Sequence, residues 1–132
     1  MAHDREQKRV DEHISVKTVL IVEDDVNIGE VLVQAITQET AFLALLVADG
    51  FEALKVVEGL KPNLFILDYQ LPRMDGLALY DKLHAIEDLQ HVPALMMSAR
   101  LPQKELTKRK IVGMNKPIDL DEFLQTIEDL IG

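Results

Sequence analysis

Apolar positions follow two rhythms along this chain. Short unbroken runs cover Thr18 to Val22, Phe42 to Val47, Leu64 to Leu67 and Ala94 to Met97, with a weaker one at Ile111 to Met114. Runs of this length, apolar throughout, read as buried strands. Between them the spacing turns helical. Asn27 to Glu39 carries Ile28, Val31, Leu32, Ala35 and Ile36 on one stripe. Gly50 marks a turn, and Ala53, Leu54, Val57 and Leu60 follow as a second helix that Pro62 and Asn63 break. Leu77 to Ile86 forms a third, and Pro102 to Lys110 leaves room for a short fourth. Leu120, Phe123, Leu124, Ile127 and Ile131 define the last helix, with Asp119 as its N-cap. Residues 1–16 are polar and of mixed charge, so the folded domain is expected over 17–132.

Strands without polar alternation are covered on both faces, which means a parallel sheet between two layers of helices. Right-handed crossovers then bring the C-terminal ends of all strands to one rim, where ligands bind in open α/β sheets. The residues delivered there are distinctive. Glu23-Asp24-Asp25 follows the first strand, and Asp68 ends the third before the turn Tyr69 to Gly76. Ser98 ends the fourth, and Asn115-Lys116-Pro117 follows the fifth. Three acids, a hydroxyl and a lysine thus meet from distant parts of the chain.

Composition narrows the chemistry. The 132 residues suit one domain, and 48% hydrophobic content suits an ordinary core. A net charge of -9 argues against direct nucleic-acid binding, which needs cations against phosphates. The absence of cysteine excludes disulfides and thiolate metal sites. The longest apolar run, Ala41 to Ala48, falls far short of the roughly 18 residues that span a bilayer. Met1 to Asp11 has no apolar stretch of a secretory leader, so a cytoplasmic location without membrane attachment is the expectation. Some residues suit ordinary structural roles. Asp25 fits a helix N-terminus, and Asp75-Gly76 fits a turn and cap. Met74, Met96 and Met97 fit the core. His3, His13, His84 and His91 share no metal spacing and read as surface residues.

The strand-end residues, taken in order, resemble the receiver domain of two-component response regulators. The motifs are Glu23-Asp24, Asp68, the turn Leu71-Pro72-Arg73-Met74-Asp75-Gly76, Ser98-Ala99 and Lys116-Pro117. Each alone is weak, but five in register are specific. The resemblance spans about residues 17–131. It implies a doubly wound, flavodoxin-like α/β fold of five parallel strands in the order 2-1-3-4-5. It also implies that Asp68 accepts a phosphoryl group from a sensor histidine kinase or phosphotransfer protein. Asp24, Asp68 and the Gln70 backbone carbonyl would hold Mg2+, with Glu23 acting through a metal-bound water. Lys116 would pair with a phosphoryl oxygen as a point charge and Ser98 would bond another. A cis peptide before Pro117 and a kinase docking face at Asn27, Glu30 and Gln34 are implied as well. Tyr69, Gln70 and Arg100, beside the site, are candidates for tuning water access.

Two departures from the family stand out. The stretch between Ser98 and Lys116 is short by roughly one helical turn, and it is basic, with Lys104, Lys108, Arg109 and Lys110. The place of the usual fifth-strand aromatic, three before the lysine, is Gly113. Both put the usual switch and the usual dimer mode in question, so a monomer or weak dimer is expected. With no output domain after the last helix, the expected action is on a separate, unknown downstream protein. The main rival is a receiver-like binding module that signals without phosphate. An aspartyl phosphohydrolase is a weaker rival, because Gln70 stands where that family places a second aspartate.

Overall fold

The computed structural model describes residues 16–132; of the polar tail expected over residues 1–16, residues 1–15 lie outside the described residues. Five parallel strands form one sheet in the order β2-β1-β3-β4-β5. These are β1 (Thr18–Val22), β2 (Leu43–Val47), β3 (Leu64–Asp68), β4 (Ala94–Ser98) and β5 (Val112–Asn115). The helices are α1 (Val26–Glu39), α2 (Gly50–Val56), α3 (Gly76–His84), α4 (Gln103–Arg109) and α5 (Leu120–Ile131), with a single 3-10 turn at Glu87–Leu89.

The period of two along each strand splits the core in half. Leu20, Phe65, Leu67 and Met96 pack with Ala53 of α2, Leu79 and Leu83 of α3 and Leu106 of α4. Val19, Ile21, Ile66 and Leu95 face the other way, against Leu32 and Ile36 of α1 and Phe123 and Ile127 of α5. β1 and β3 lie inside the sheet and are buried at every position. This explains why their sequences show no polar alternation. The edge strand β2 begins exposed at Leu43 and is buried only at Val47.

Four helices start on an aspartate whose carboxylate accepts amide hydrogens that the first turn leaves unpaired. Asp25 Oδ1 takes those of Asn27 and Ile28 at 3.0 and 3.2 Å. Asp49, Asp75 and Asp119 take those of Glu52, Ala78 and Glu122. α4 begins on Pro102 without such a bond.

Some boundaries differ from the expectation. Gly50 is the first residue of α2 rather than a turn, because Asp49 caps ahead of it and Met74 Sδ packs where a Cβ would lie, at 2.9 Å. α3 stops at His84, short of Ile86, and a 3-10 turn follows. His84 is half-buried instead of at the surface: its ring stacks on Tyr80, centroids 4.5 Å apart. Met74, Met96 and Met97 are core residues as expected, and His91 is exposed.

Glycine is required at Gly76. A Cβ there would lie 2.6 Å from the Asp68 carbonyl oxygen and 2.9 Å from Tyr69 Cα, both backbone atoms that cannot swing away. Gly76→Ala is therefore expected to cost about 1–3 kcal/mol of stability, the usual cost of overpacking, read as a lower urea unfolding midpoint. An unchanged midpoint would show that the turn relaxes freely.

Candidate functional site

Ladder hydrogen bonds set the rim. The Glu23 amide donates to the Val47 carbonyl at 3.1 Å, that of Tyr69 to Met97 at 2.8 Å, and that of Lys116 to Ser98 at 2.9 Å. Val22 pairs with Leu67, Asp68 with Met97 and Ser98 with Asn115. Glu23, Asp68, Ser98 and Lys116 consequently stand side by side at one end of β1, β3, β4 and β5.

Carboxylate oxygens of Glu23, Asp24 and Asp68 lie within 4.8 Å of one another. Glu23 and Asp68 are 2% and 4% exposed, whereas Asp24 is open to solvent. The Lys116 ammonium reaches both buried acids, Glu23 Oε1 at 2.9 Å and Asp68 Oδ2 at 3.3 Å. The second oxygen of each is held by backbone. Glu23 Oε2 accepts from the Asp25 amide at 3.2 Å, and Asp68 Oδ1 from the Gln70 amide at 3.3 Å. Burial alone would lower the Lys116 pKa, but its hydrogen bond to Glu23 and the charges of Asp68 and Glu23 outweigh that and raise it. The raised value makes the lysine a source of stability that is complete below the ordinary lysine range and fades as pH climbs through the folded value. At neutral pH Lys116 is a cation.

The donor set suits a hard divalent ion. All three groups that could ligate are carboxylates, and among the described residues no histidine joins them. One or two carboxylates with water and phosphate oxygens is the coordination Mg2+ accepts.

Ser98 sits at the rim, 1% exposed, with its hydroxyl turned into its own loop. Its Oγ donates to the Arg100 carbonyl at 2.9 Å and accepts from the Arg100 amide at 3.0 Å. The Arg100 residue is exposed and Tyr69 is half-buried against the core. The Lys116–Pro117 peptide is cis. Beside Lys116 opens an apolar groove of about 680 Å³, lined by Ile28, Val31, Ala99, Pro117 and Leu120.

The neighbouring α4 is short and tied to α3. α4 has seven residues and ends on Lys110 in the left-handed conformation, φ 57°. Arg109 ties it to α3 through Asp81, at 2.8 and 2.9 Å, and also pairs with Glu105 at 2.9 Å. The Arg109 hydrogen bond holds the Asp81 carboxyl below its usual range. The Tyr80 hydroxyl donates to the Arg109 carbonyl at 3.3 Å. Gly113 is not a vacancy: a Cβ there would meet Leu106 Cδ1 at 2.8 Å and Leu101 Cδ1 at 2.9 Å. Two leucines fill the room a larger fifth-strand side chain would need.

Sequence reasoning missed Asp49, Phe51 and Arg73. Arg73 ion-pairs with Asp49 at 3.1 Å and stacks 4.8 Å over the Phe51 ring. The only hint was an arginine inside the turn motif.

Known proteins agree with this geometry. Residues 19–128 match the response regulator receiver domain. The polar-differentiation response regulator DivK of Brucella anthropi is 27% identical over 120 residues, covering 88% of this chain and 97% of the relative. DivK of Brucella ovis is 28% identical with the same coverage. Among solved structures, the chemotaxis protein CheY4 of Vibrio cholerae superposes with a TM-score of 0.81 at 22% identity, over 88% of this chain and 99% of that one. The receiver domain of a histidine kinase from Syntrophus aciditrophicus gives 0.76 at 26% identity, over 88% and 90%. With the strand order, the acidic rim and the family match in agreement, this chain belongs to the response regulator receiver domain family.

Proposed function

We propose that Asp68 accepts a phosphoryl group from the phosphohistidine of a cytoplasmic sensor histidine kinase or phosphotransfer protein, in a Mg2+-dependent reaction, and that the signal passes to a separate protein. The observation that carries this is the Asp68 carboxylate at the rim, 3.3 Å from Lys116 and clustered with Glu23 and Asp24. The Brucella relatives, of which it covers 97%, are named response regulators.

The chemistry is a displacement at phosphorus. An Asp68 oxygen forms the new P–O bond, the P–N bond breaks, and the imidazole leaves with its electron pair. A carboxylate serves as nucleophile when charge on the phosphoryl oxygens is neutralised and the group is held in line. Asp24, Asp68 and the Gln70 carbonyl would hold Mg2+, with Glu23 acting through a water, and the bound ion would offset charge on the phosphoryl oxygens. Lys116 supplies a further positive charge. Ser98 takes another phosphoryl oxygen once its hydroxyl leaves the Arg100 carbonyl. Asp68 is a switch, charged once per cycle, so the chain is no conventional enzyme. The kinase or phosphotransfer helix docks along α1 and the apolar groove beside Lys116. The exposed Asn27, Glu30 and Gln34 and the apolar Val31 and Leu120 support that placement.

A specific observation favours a second reading, a phosphate-independent binding module. Leu101 and Leu106 occupy the space over Gly113, and α4 is bound to α3 through Arg109. The complete rim favours the first.

Three outcomes test the proposal. Incubation with acetyl phosphate and Mg2+ is expected to add the mass of one phosphoryl group to the wild type and none to Asp68→Asn; an unlabelled wild type would leave the binding-module reading. Because crowded carboxylates repel without a cation, millimolar Mg2+ is expected to raise the Tm of the wild type and to raise that of Asp24→Asn less. Equal shifts, or none, would remove the metal assignment. Glu30→Lys combined with Gln34→Lys is expected to slow transfer from the cognate kinase at least about 10-fold, roughly 1.4 kcal/mol, with acetyl phosphate labelling unchanged. Equal slowing of both routes would move the docking face elsewhere.

A further inference from the structure

The turn after Asp68 is fastened to the start of α2 by two consecutive residues. Met74 is buried, its Sδ packed against Gly50 so closely that no Cβ would fit. Arg73 lies over the flanking residues. Its guanidinium ion-pairs with Asp49 Oδ2 at 3.1 Å and sits 4.8 Å from the centre of the Phe51 ring. The Asp49 carboxylate has a second task, since its Oδ1 caps α2 through the Glu52 amide at 2.8 Å. The acceptor is thus held rigid before Arg73 reaches it.

Arg73 also has φ 66°, the left-handed region that glycine adopts freely and arginine does not. Non-glycine residues keep such a conformation where surrounding contacts over-determine it. Here the ion pair and the aromatic stack are those contacts. The pair is exposed, the Arg73 side chain at 66%, and an exposed ion pair adds little global stability by itself. Its effect is on position.

What is positioned is the site. The same turn carries Gln70, whose amide donates to Asp68 Oδ1 at 3.3 Å. The turn closes through the Gly76 amide to the Tyr69 carbonyl at 2.8 Å. Lys116 fixes the other Asp68 oxygen. A turn free to drift would release Oδ1 and let the carboxylate rotate about its bond to Lys116. In the clamped turn Oδ1 stays on the Gln70 amide while Oδ2 meets the lysine.

We propose that Arg73 is a positioning residue for the metal and phosphoacceptor site, acting through its clamp on Asp49 and Phe51 to hold the Gln70 amide against Asp68. This inference rests on the metal-binding reading of the rim. Removing a group that orients a ligand carboxylate typically weakens metal binding 10–100-fold, and a clamp one step further out belongs near the low end, about 10-fold.

The test is isothermal titration of Mg2+ into the wild type, Arg73→Ala, Arg73→Gly and Arg73→Lys, with Tm and amide exchange measured on each. Arg73→Ala and Arg73→Gly are expected to bind Mg2+ about 10-fold more weakly. Arg73→Gly relieves the backbone, so its Tm is expected to match or exceed that of Arg73→Ala while its affinity stays low. That split separates position from stability. Arg73→Lys keeps the charge and is expected to recover part of the affinity. Amide exchange at Gln70 and Leu71 should quicken in the weakened variants, while α1 and α5 stay protected. Wild-type affinity in both Arg73→Ala and Arg73→Gly would overturn the clamp, as would weakened binding with unaltered exchange at Gln70. A wild type that takes up no Mg2+ would instead sink the metal reading of the rim, and this proposal with it.

Discussion

Two buried carboxylates share one cation. Glu23 and Asp68 are almost wholly withdrawn from water, and Lys116 is the ammonium within reach of both. A buried charge left unpaired costs several kcal/mol, so this trio constrains the whole domain. Lys116 has to come from the far end of the chain to the rim of β1 and β3, and parallel strands joined by right-handed crossovers bring it there. The arrangement is compensated but not neutral: with Asp24, three acids face one lysine. The remaining negative charge would suit a divalent ion.

The rest of the rim serves this balance. Backbone amides of Asp25 and Gln70 hold the oxygens that Lys116 leaves over. Gly76 lets the chain fold back against Asp68. The cap residues that start α1, α2 and α3 are aspartates close to the same edge. They satisfy helix ends and, through Asp49, anchor the turn that carries Gln70. Stability and chemistry therefore draw on the same short loops.

Away from the rim, one connected region is built around the short α4. A short α4 ends after seven residues, and Arg109 at its end reaches Asp81 and Glu105. Leu101 and Leu106 close over Gly113. These features belong together: a glycine on β5 admits the two leucines, and the leucines draw the short helix onto the sheet. The Ser98 hydroxyl, bound to Arg100 just before Leu101, lies between this region and the acidic rim.

Much of this was legible in the order of residues. Uninterrupted apolar runs at β1, β3 and β4 marked a two-sided parallel sheet, because a strand covered on both faces has no polar positions to show. The acids, serine and lysine at strand ends followed from that topology, and so did Asp25, Asp75 and Asp119 as caps, since capping is local. What the order of residues could not carry was contact between distant loops. Nothing near Arg73 announces Asp49 and Phe51, 24 and 22 positions earlier. Gly50 looked like a turn because the methionine that fills the space beside it comes much later in the chain. Local pattern and the crossover rule determine which residues reach the rim. Which oxygen binds which partner is decided only when side chains from separate loops compete for the same few ångströms, and that competition exists only in the folded protein.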